Sequence, residues 1–362
     1  EDVKVFGTNP AITPLLRINP FSFPGGIHVL EHLDRLVEIF NVCWPMYAAM
    51  PAVLKDAIQL SYEDCGWNLT TSQNRFGDGL YPRLADVARN VRAILDSSEY
   101  DAENKGAYKG SLLTRLNSLT NGLNGMILSD DEIRDEDLFD ENAIVDLSRV
   151  GSMETKSLLM GLIVLKLQEH RMATSHGANQ PLRHLTVLEE AHNLLKRSSP
   201  ELGKSVEMIS NAIAEMRTYG EGFVIADQAP GLLDMAAIRN TNTKIIHRLP
   251  DLSDRELAGF AANLNERQVI EVARLPQGVA AVYQNDCVEP VLCKVSAAEK
   301  GMPFCYSPAS GLSDSGASVS LQIAELLAQG GDVAEPNHLQ DLKELLSKTN
   351  VGAYAKVQAL RY

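Results

Sequence analysis

The sequence predicts an α/β protein with a mostly parallel sheet flanked by helices, a helical insertion and a C-terminal β-hairpin. Three observations support this fold class. In the second half of the chain, short apolar runs alternate with helical patterns of roughly 12–18 residues, as in parallel sheets covered on both faces. The first half shows apolar residues at helical spacing from Ile27 to about Leu95. Two further apolar runs flank a polar turn, which predicts the hairpin.

The N-terminal half is expected to begin with a short strand near Leu15–Ile18, followed by a loop. Pro and Gly residues divide the helical insertion, at about residues 27–125, into several helices. Residues 97–109 are polar and are predicted to form a loop, and a further helix is predicted around Ser111–Leu119. The acidic run at residues 130–137 is expected to be a solvated loop or the start of a helix.

Four apolar segments after residue 142 predict the strands of the sheet, and two more predict the hairpin. Helices are predicted between them at about Glu154–Met172 and Val206–Thr218. The four strands are predicted at residues 143–147, 184–189, 222–228 and 243–249, and the hairpin strands at residues 278–283 and 288–295.

The predicted domain organisation is a core at residues 1–300, a linker at residues 301–319 and a C-terminal helical extension at residues 320–362. The linker is predicted from the Ser, Gly and Pro content of the chain after Tyr306. The extension is expected to contain helices at Leu321–Leu327 and His338–Lys348. The second of these has leucines on one face, which predicts that it packs against another element.

Composition limits the possible functions. A net charge of −14 argues against general affinity for nucleic acid, although a ring that threads DNA needs positive charge only in its pore loops. The apolar stretch at residues 158–165 is too short to cross a bilayer, and no secretory leader is recognised. Five cysteines without C-x-x-C spacing indicate reduced thiols and a cytoplasmic protein.

Two acids, Glu189 and Glu190, follow the apolar run of the second predicted strand. This pattern is typical of the Walker B strand of nucleotide hydrolases, because ligands of open α/β sheets bind at the C-terminal ends of the strands. Glu189 is expected to hold Mg²⁺ through water, and Glu190 to orient or deprotonate the attacking water. The alternative is a strand whose acids start a solvated helix. His192 is expected to be structural rather than catalytic.

A P-loop hydrolase also needs the motif G-x-x-x-x-G-K-[ST], which cradles the phosphates. The 362 residues contain no match. The nearest sequence is Gly203-Lys204-Ser205, but Ser198 stands where the first Gly should be. This sequence also follows the Walker B strand instead of a strand of its own, so we do not expect it to bind phosphate.

Other candidate residues have two interpretations each. Gln228 ends the next predicted strand, where its amide can sense a γ-phosphate and hydrogen-bond the attacking water, or can simply form a turn. Arg217 precedes that strand and can act across a subunit interface on a transferring phosphate, or can be a helix C-terminal cation. Lys196, Arg197 and Lys204 are weak candidates for DNA contact, and solvated side chains are the favoured interpretation of Lys196 and Arg197.

Three segments in this order resemble the HerA-like ATPases of the HerA/FtsK superfamily of P-loop motors. They are Leu188–Leu195, Ile213–Pro230 and Asn240–Leu249. Shorter segments, Asn19-Pro20-Phe21 and Ile144–Arg149, are similar to those that this family carries after its phosphate loop. The resemblance spans roughly residues 15–296.

The resemblance implies a RecA-like fold, a hexameric ring that uses ATP and Mg²⁺, and DNA translocation, often beside a nuclease in DNA end processing or antiphage defence. By analogy, Glu189 and Glu190 take the Walker B roles. Gln228 takes the sensor role, and Arg217 the role of an arginine finger that acts on a neighbouring subunit.

The missing phosphate loop is expected in a segment upstream of Glu1, so that these residues alone are expected to be inactive. A conjugation or secretion motor is an alternative function. Another alternative is a degenerate, non-catalytic ATPase that acts as a ring-forming scaffold.

The loop Lys196–Gly203 is a second difference from the family, because it is shorter than its counterpart there.

Overall fold

The structure is a computed structural model of the 362-residue chain. It describes residues 3–44, 46–77, 79–175, 177, 179–197, 200–298, 301, 304–306, 323, 336–349 and 351–361; of residues 200–205, 336–339 and 341 it describes the backbone. The chain divides into two compact units. The first comprises Glu1–Val37, Pro45–Gly151 and Tyr306–Tyr362, and the second comprises Glu38–Trp44 and Ser152–Cys305.

The first unit is mainly helical, and the predicted helical insertion is confirmed. Helix α1 contributes residues to both units. A π-helical turn at Lys109–Leu113 joins α4 to α5. Its described helices before residue 140 are α1 (Val29–Cys43), α2 (Met50–Asp64), α3 (Leu84–Ser97), α4 (Ala102–Tyr108), α5 (Thr114–Thr120), α6 (Gly122–Ile127) and α7 (Asp135–Phe139).

The loop predicted at residues 97–109 is wrong over most of its length, because α4 occupies residues 102–108. The Asp101 side chain caps this helix by accepting a hydrogen bond from the Asn104 N–H at 2.8 Å. An aspartate at this position satisfies a free N–H group at the helix start. This cap stabilises a helix in a segment whose polar composition favours a loop.

The strands of the first unit form two short sheets. Strand β1 (Lys4–Gly7) pairs in parallel with β4 (Ala143–Asp146). Strands β2 (Trp67–Asn68) and β3 (Gln73–Asn74) form a small antiparallel pair.

The strand predicted near Leu15–Ile18 is not formed. Leu15 makes an isolated bridge to Gly7, and Leu16 and Ile18 are fully buried in the core. An apolar run this short does not distinguish a strand from a buried irregular segment. The strand of this region is β1, which precedes the run.

Two C-terminal helices, α13 (Pro336–Ser347) and α14 (Ala353–Arg361), belong to the first unit. Leu342 and Leu346 of α13 are buried, as the apolar face of this helix predicted. The Arg89 guanidinium lies 3.6 Å above the ring of Tyr354, and so connects α3 to α14. Most of the helix predicted at Leu321–Leu327 and most of the predicted linker lie outside the described residues.

The second unit alternates helices and strands. Helix α8 matches its prediction closely, and α9 begins several residues earlier than predicted. Among the described residues, no helix is both long enough and apolar enough to span a lipid bilayer. The helices are α8 (Met153–Thr174), α9 (Pro200–Glu215), α10 (Met235–Arg239), α11 (Leu252–Ala261) and α12 (Glu266–Val272), with 3₁₀ turns at Ala191–Asn193, Met216–Tyr219 and Pro230–Leu232.

The strands of this unit form one parallel and one antiparallel sheet. Strands β5 (His184–Glu189) and β6 (Glu221–Ala226) are parallel, with Glu189 opposite Ala226 as the last pair. Strands β7 (Thr243–Ile246), β8 (Val279–Gln284) and β9 (Val291–Lys294) form an antiparallel sheet in that order.

The predicted hairpin is confirmed as β8 and β9. Strand β7 was predicted as a fourth parallel strand, but within the described part of the chain its pairing is antiparallel, with β8. Helices α11 and α12 pack on this sheet around Ala281, which is buried. Local sequence predicts that β7 is a strand, whereas the partner of β7 depends on residues far along the chain.

One face of the β5–β6 pair is apolar and exposed. Leu185 and Val187 of β5 are 52% and 55% exposed, and the neighbouring Val224 of β6 is 42% exposed. Successive side chains of a strand alternate between faces, so Glu189 lies on this same face. Parallel strands are normally buried on both faces, which makes this exposure unusual.

Candidate active site

Acidic and amide side chains meet where β5 and β6 end. The strands are parallel and in register, so the residues that follow Glu189 and Ala226 emerge at the same edge of the sheet. Glu190 follows β5, and Asp227 and Gln228 follow β6. This arrangement brings together residues almost 40 positions apart in the chain.

The Gln228 side-chain amide donates a hydrogen bond of 2.7 Å to Oε1 of Glu190. The direction follows from the chemistry, because an ionised carboxylate only accepts. The carbonyl oxygen of the same amide therefore remains an acceptor. The Glu190 side chain is 42% exposed, so water can reach its carboxylate.

Glu190 has a left-handed backbone conformation, with φ 50° and ψ 47°. This region costs a residue other than Gly about 1–2 kcal/mol. Two hydrogen bonds hold the turn: the backbone N–H and the side-chain amide of Asn193 both donate to the Glu190 carbonyl, at 2.9 and 2.8 Å. The strained conformation therefore coincides with the candidate catalytic acid.

Asp227 is a residue that the sequence reasoning missed. Its side chain is 2% exposed, and Oδ2 accepts hydrogen bonds from the His192 backbone N–H at 2.8 Å and from His192 Nδ1 at 2.9 Å. Glu190, His192 and Asp227 lie close enough to form a possible metal site. The available signal was an acid at the end of a predicted strand, at the edge where Glu189 and Glu190 emerge.

Glu189 is exposed and makes no hydrogen bond among the described residues. Its carboxylate is therefore accessible to solvent at the C-terminal end of β5. Carboxylate oxygens are the ligands that Mg²⁺ prefers, and Mg²⁺ usually keeps several of its waters. The donor type and exposure of Glu189 fit a hydrated Mg²⁺ ion.

Arg217 lies away from these acids. It is exposed in the 3₁₀ turn that precedes β6, whereas Gln228 follows the other end of β6. Six strand residues separate the two ends, which corresponds to roughly 20 Å. Within one chain, Arg217 and the carboxyl edge of the sheet are therefore at opposite ends of β6.

A buried ionic network holds the starts of the same two strands. Glu221, the first residue of β6, accepts hydrogen bonds from Arg171 Nε of α8 at 2.8 Å and from Thr186 Oγ1 at 2.6 Å, and contacts His184 Nδ1 at 2.8 Å. Burial would raise the pKa of Glu221, but the hydrogen bonds from His184, Thr186 and Arg171 outweigh it and lower the pKa below 4.5. The network joins the starts of the two strands in the register that brings Glu190 to Gln228.

The segment after the site runs beside the tail of β6. Lys196 forms an antiparallel bridge with Leu233, and the Arg197 N–H donates to the Leu232 carbonyl at 2.7 Å. Both basic side chains are exposed. Lys204 lies in α9, and its side chain is outside the described part of the chain.

Sequence comparison finds relatives over part of the chain. The chain is 29% identical over 134 residues to the DNA double-strand break repair helicase HerA of Sulfurisphaera tokodaii. This match covers 37% of the chain and 26% of the helicase. The HerA helicase of Sulfolobus acidocaldarius is 28% identical over the same shares. The match thus spans about a quarter of these relatives. No protein-family model matches the chain.

Solved structures share the fold over most of the chain. VirB4 of Thermoanaerobacter pseudethanolicus has a TM-score of 0.59 at 16% identity, with 81% of this chain and 76% of VirB4 covered. The bacterial conjugative coupling protein TrwB has a TM-score of 0.53 at 10% identity, with coverage of 82% and 74%. TrwB in complex with ADP and Mg²⁺ has a TM-score of 0.51 at 12% identity, with coverage of 82% and 75%.

These findings define the class of protein. The chain has the α/β, RecA-like fold of VirB4 and TrwB. Within that fold, its resemblance to HerA-like ATPases, predicted from the order of three motifs, is confirmed by its similarity to the two HerA helicases.

Proposed function

We propose that this chain is part of an ATP-driven motor that moves DNA, and that the acids after β5 serve ATP hydrolysis. The observation that carries this proposal is the hydrogen bond between Gln228 and Glu190 at the carboxyl edge of a parallel pair. The similarity to HerA helicases supports the same function.

Each residue has a distinct role in this proposal. Glu190, accessible to water, accepts a proton from the attacking water, and the Gln228 carbonyl orients that water. Glu189 holds Mg²⁺ through water molecules. When bound, Mg²⁺ supplies positive charge that offsets the negative charge of the phosphate oxygens.

The 362 residues lack the G-x-x-x-x-G-K-[ST] loop that cradles the phosphates of ATP. We propose that protein outside these residues supplies this loop, and that these residues alone do not hydrolyse ATP. The exposed apolar face of Leu185, Val187 and Val224, which another segment can cover, supports this view.

Arg217 supports a proposal of homo-oligomeric assembly. An arginine at the far end of β6 is too distant to stabilise phosphate at the Glu190 site of its own chain. It can act on the nucleotide of a neighbouring subunit, as in a hexameric ring. In this arrangement each active site is completed at a subunit interface.

DNA contact must be local, because the net charge of −14 opposes a general electrostatic attraction. The exposed Lys196 and Arg197 are the candidate contacts, with Lys204 as a weaker third. We further propose a cytoplasmic location and a nuclease or antiphage effector as the partner.

The test uses the full-length natural protein. Glu190→Gln keeps the size of the side chain and removes its basicity, so ATP hydrolysis is expected to fall by at least about 100-fold. The Kd for ATP is expected to remain within about threefold of that of the unsubstituted protein. Hydrolysis that survives this substitution contradicts the proposed role of Glu190.

A conjugation-type motor is the second candidate, because VirB4 and TrwB share the fold over about four fifths of the chain. Stimulation of hydrolysis by double-stranded DNA, together with translocation along it, favours the HerA-like function. Activity that depends on membrane-associated partner proteins favours the conjugation-type motor. A full-length protein that assembles into rings but does not bind ATP is instead a non-catalytic scaffold.

A further inference from the structure

One carboxylate lies between the two chain segments that carry Glu190 and Gln228. Oδ2 of Asp227 accepts hydrogen bonds from the backbone N–H and the ring Nδ1 of His192, which belong to the turn after β5. Oδ1 of Asp227 accepts a hydrogen bond of 2.9 Å from the Ala229 N–H, in the segment after β6 that carries Gln228. Both ends of the Gln228–Glu190 contact are therefore connected to the same side chain.

The orientation of the His192 ring follows from this contact. A carboxylate only accepts, so Nδ1 of His192 carries a hydrogen and donates it to Asp227. The same nitrogen lies 3.5 Å from Oε2 of Glu190, too far for a strong hydrogen bond. The ring therefore pairs with Asp227 and lies beside Glu190.

The geometry also explains how Glu190 keeps an unfavourable backbone. A left-handed residue persists when the surrounding structure holds it in place. The Glu190 carbonyl is fixed by Asn193, and two residues after Glu190 the chain is fixed by Asp227. Loss of the Asp227 contact leaves this turn free to relax to an ordinary conformation.

We propose that Asp227 and His192 are a positioning pair that fixes the left-handed turn at Glu190 and directs its carboxylate to Gln228. This inference rests on the proposed function, since the catalytic effect acts through Glu190. The contacts of the pair are with the turn after β5 and the segment after β6, so its effect on hydrolysis acts through Glu190. Asp227 has 2% of its side chain exposed and accepts three N–H groups on its oxygens, which favours an orienting role over metal binding.

The main experiment measures ATP hydrolysis by the full-length protein. Asp227→Asn keeps the size of the side chain but places an NH₂ group against the N–H groups. It is expected to lower kcat by about 100-fold, as misplacement of a catalytic group does, with KM for ATP within about twofold. His192→Ala is expected to lower kcat in the same direction.

Rescue by a conservative variant separates positioning from ring chemistry. In His192→Asn, the side-chain amide can donate its N–H from the place of Nδ1, and kcat is expected to stay within about threefold of the unsubstituted protein. The matched control is Asp234→Asn, because Asp234 caps α10 by accepting the Ala236 N–H at 2.8 Å and does not contact the pair. The kcat of this control is expected to be unchanged.

A second readout does not depend on hydrolysis. Hydrogen–deuterium exchange of the full-length protein should increase at residues 190–195 and 227–231 in Asp227→Asn but not in Asp234→Asn. If the unsubstituted protein does not hydrolyse ATP, the proposed function fails, whereas this exchange experiment still tests the pair.

Three results overturn the positioning role. One is unchanged exchange in Asp227→Asn, and another is a kcat of His192→Asn as low as that of His192→Ala. The third is binding of Mn²⁺ alone, without nucleotide, that Asp227→Asn abolishes, because Asp227 would then be a metal ligand.

Discussion

The Gln228 side-chain amide donates a hydrogen bond of 2.7 Å to the Glu190 carboxylate, across the ends of two adjacent parallel strands. The contact pairs the candidate base with the candidate phosphate sensor. The two residues are therefore expected to act as a unit in hydrolysis.

Gln228→Ala is expected to lower kcat of the full-length protein by about 10–100-fold, because the attacking water loses its orienting group. In a Glu190→Gln background the same substitution is expected to cost less than about threefold, since residues that act as a unit are not additive. Steady-state kinetics of the two single variants and the double variant measure this. Additive losses would show that the two side chains act independently.

Glu190→Gly is expected to stabilise the protein while abolishing hydrolysis. Glycine adopts the left-handed conformation at φ 50° without the cost that a side chain carries. Glu190→Ala is the control, since it removes the carboxylate but keeps the Cβ. We expect the Gly variant to be more stable than the Ala variant by about 1 kcal/mol, or about 2–4 °C in Tm. A less stable Gly variant would mean that the turn is not strained.

Glu221→Gln is expected to destabilise the protein by about 3 kcal/mol at pH 7, because the buried ion pair between Glu221 and Arg171 is lost. The pKa of Glu221 is lowered from 4.5, so its stabilising contribution is complete above pH 4.5 and is lost as the pH falls through the lower folded-state pKa. The difference in free energy of unfolding between Glu221→Gln and the unsubstituted protein should therefore become smaller below pH 4.5.

Urea denaturation at a series of pH values measures this gap. Glu207→Gln is the control, since Glu207 is exposed on α9. A gap in Glu221→Gln that is constant down to pH 2 contradicts the stabilising role of the ionised carboxylate.

Gly220→Ala is expected to destabilise the protein by more than about 1 kcal/mol. Gly220 has φ +84°, and an added Cβ would lie 2.5 Å from the Pro181 carbonyl oxygen, which is backbone and cannot easily move. Gly106→Ala is the comparison, because Gly106 lies in α4 with no neighbour within 4 Å of an added Cβ. That variant is expected to gain up to about 1 kcal/mol from helix propensity. Calorimetry of both variants tests the difference in sign.

Local patterns in the sequence predict most of the elements near the site. The apolar runs of β5 and β6 and the helical spacing of α8 are properties of contiguous residues, and each element forms where it was predicted. The position of Glu190 and Gln228 at one edge also follows, because parallel strands place their C-terminal ends together.

Contacts between distant residues account for what the sequence did not predict. Strand β7 pairs antiparallel with β8, more than 30 positions later, and no local pattern specifies that partner. Asp227 and His192 are 35 positions apart, so their hydrogen bonds depend on the register of β5 with β6. The sequence also does not predict the left-handed backbone of Glu190, since glutamate rarely adopts this conformation.

The open side of β5 and β6 affects how the protein behaves in solution. Leu185, Val187 and Val224 form a contiguous oily strip in contact with water. Such a strip promotes aggregation when nothing lies over it. The 362-residue chain alone is therefore expected to aggregate as its concentration rises. A polar substitution on this apolar face, such as Val187→Thr, is expected to keep it soluble.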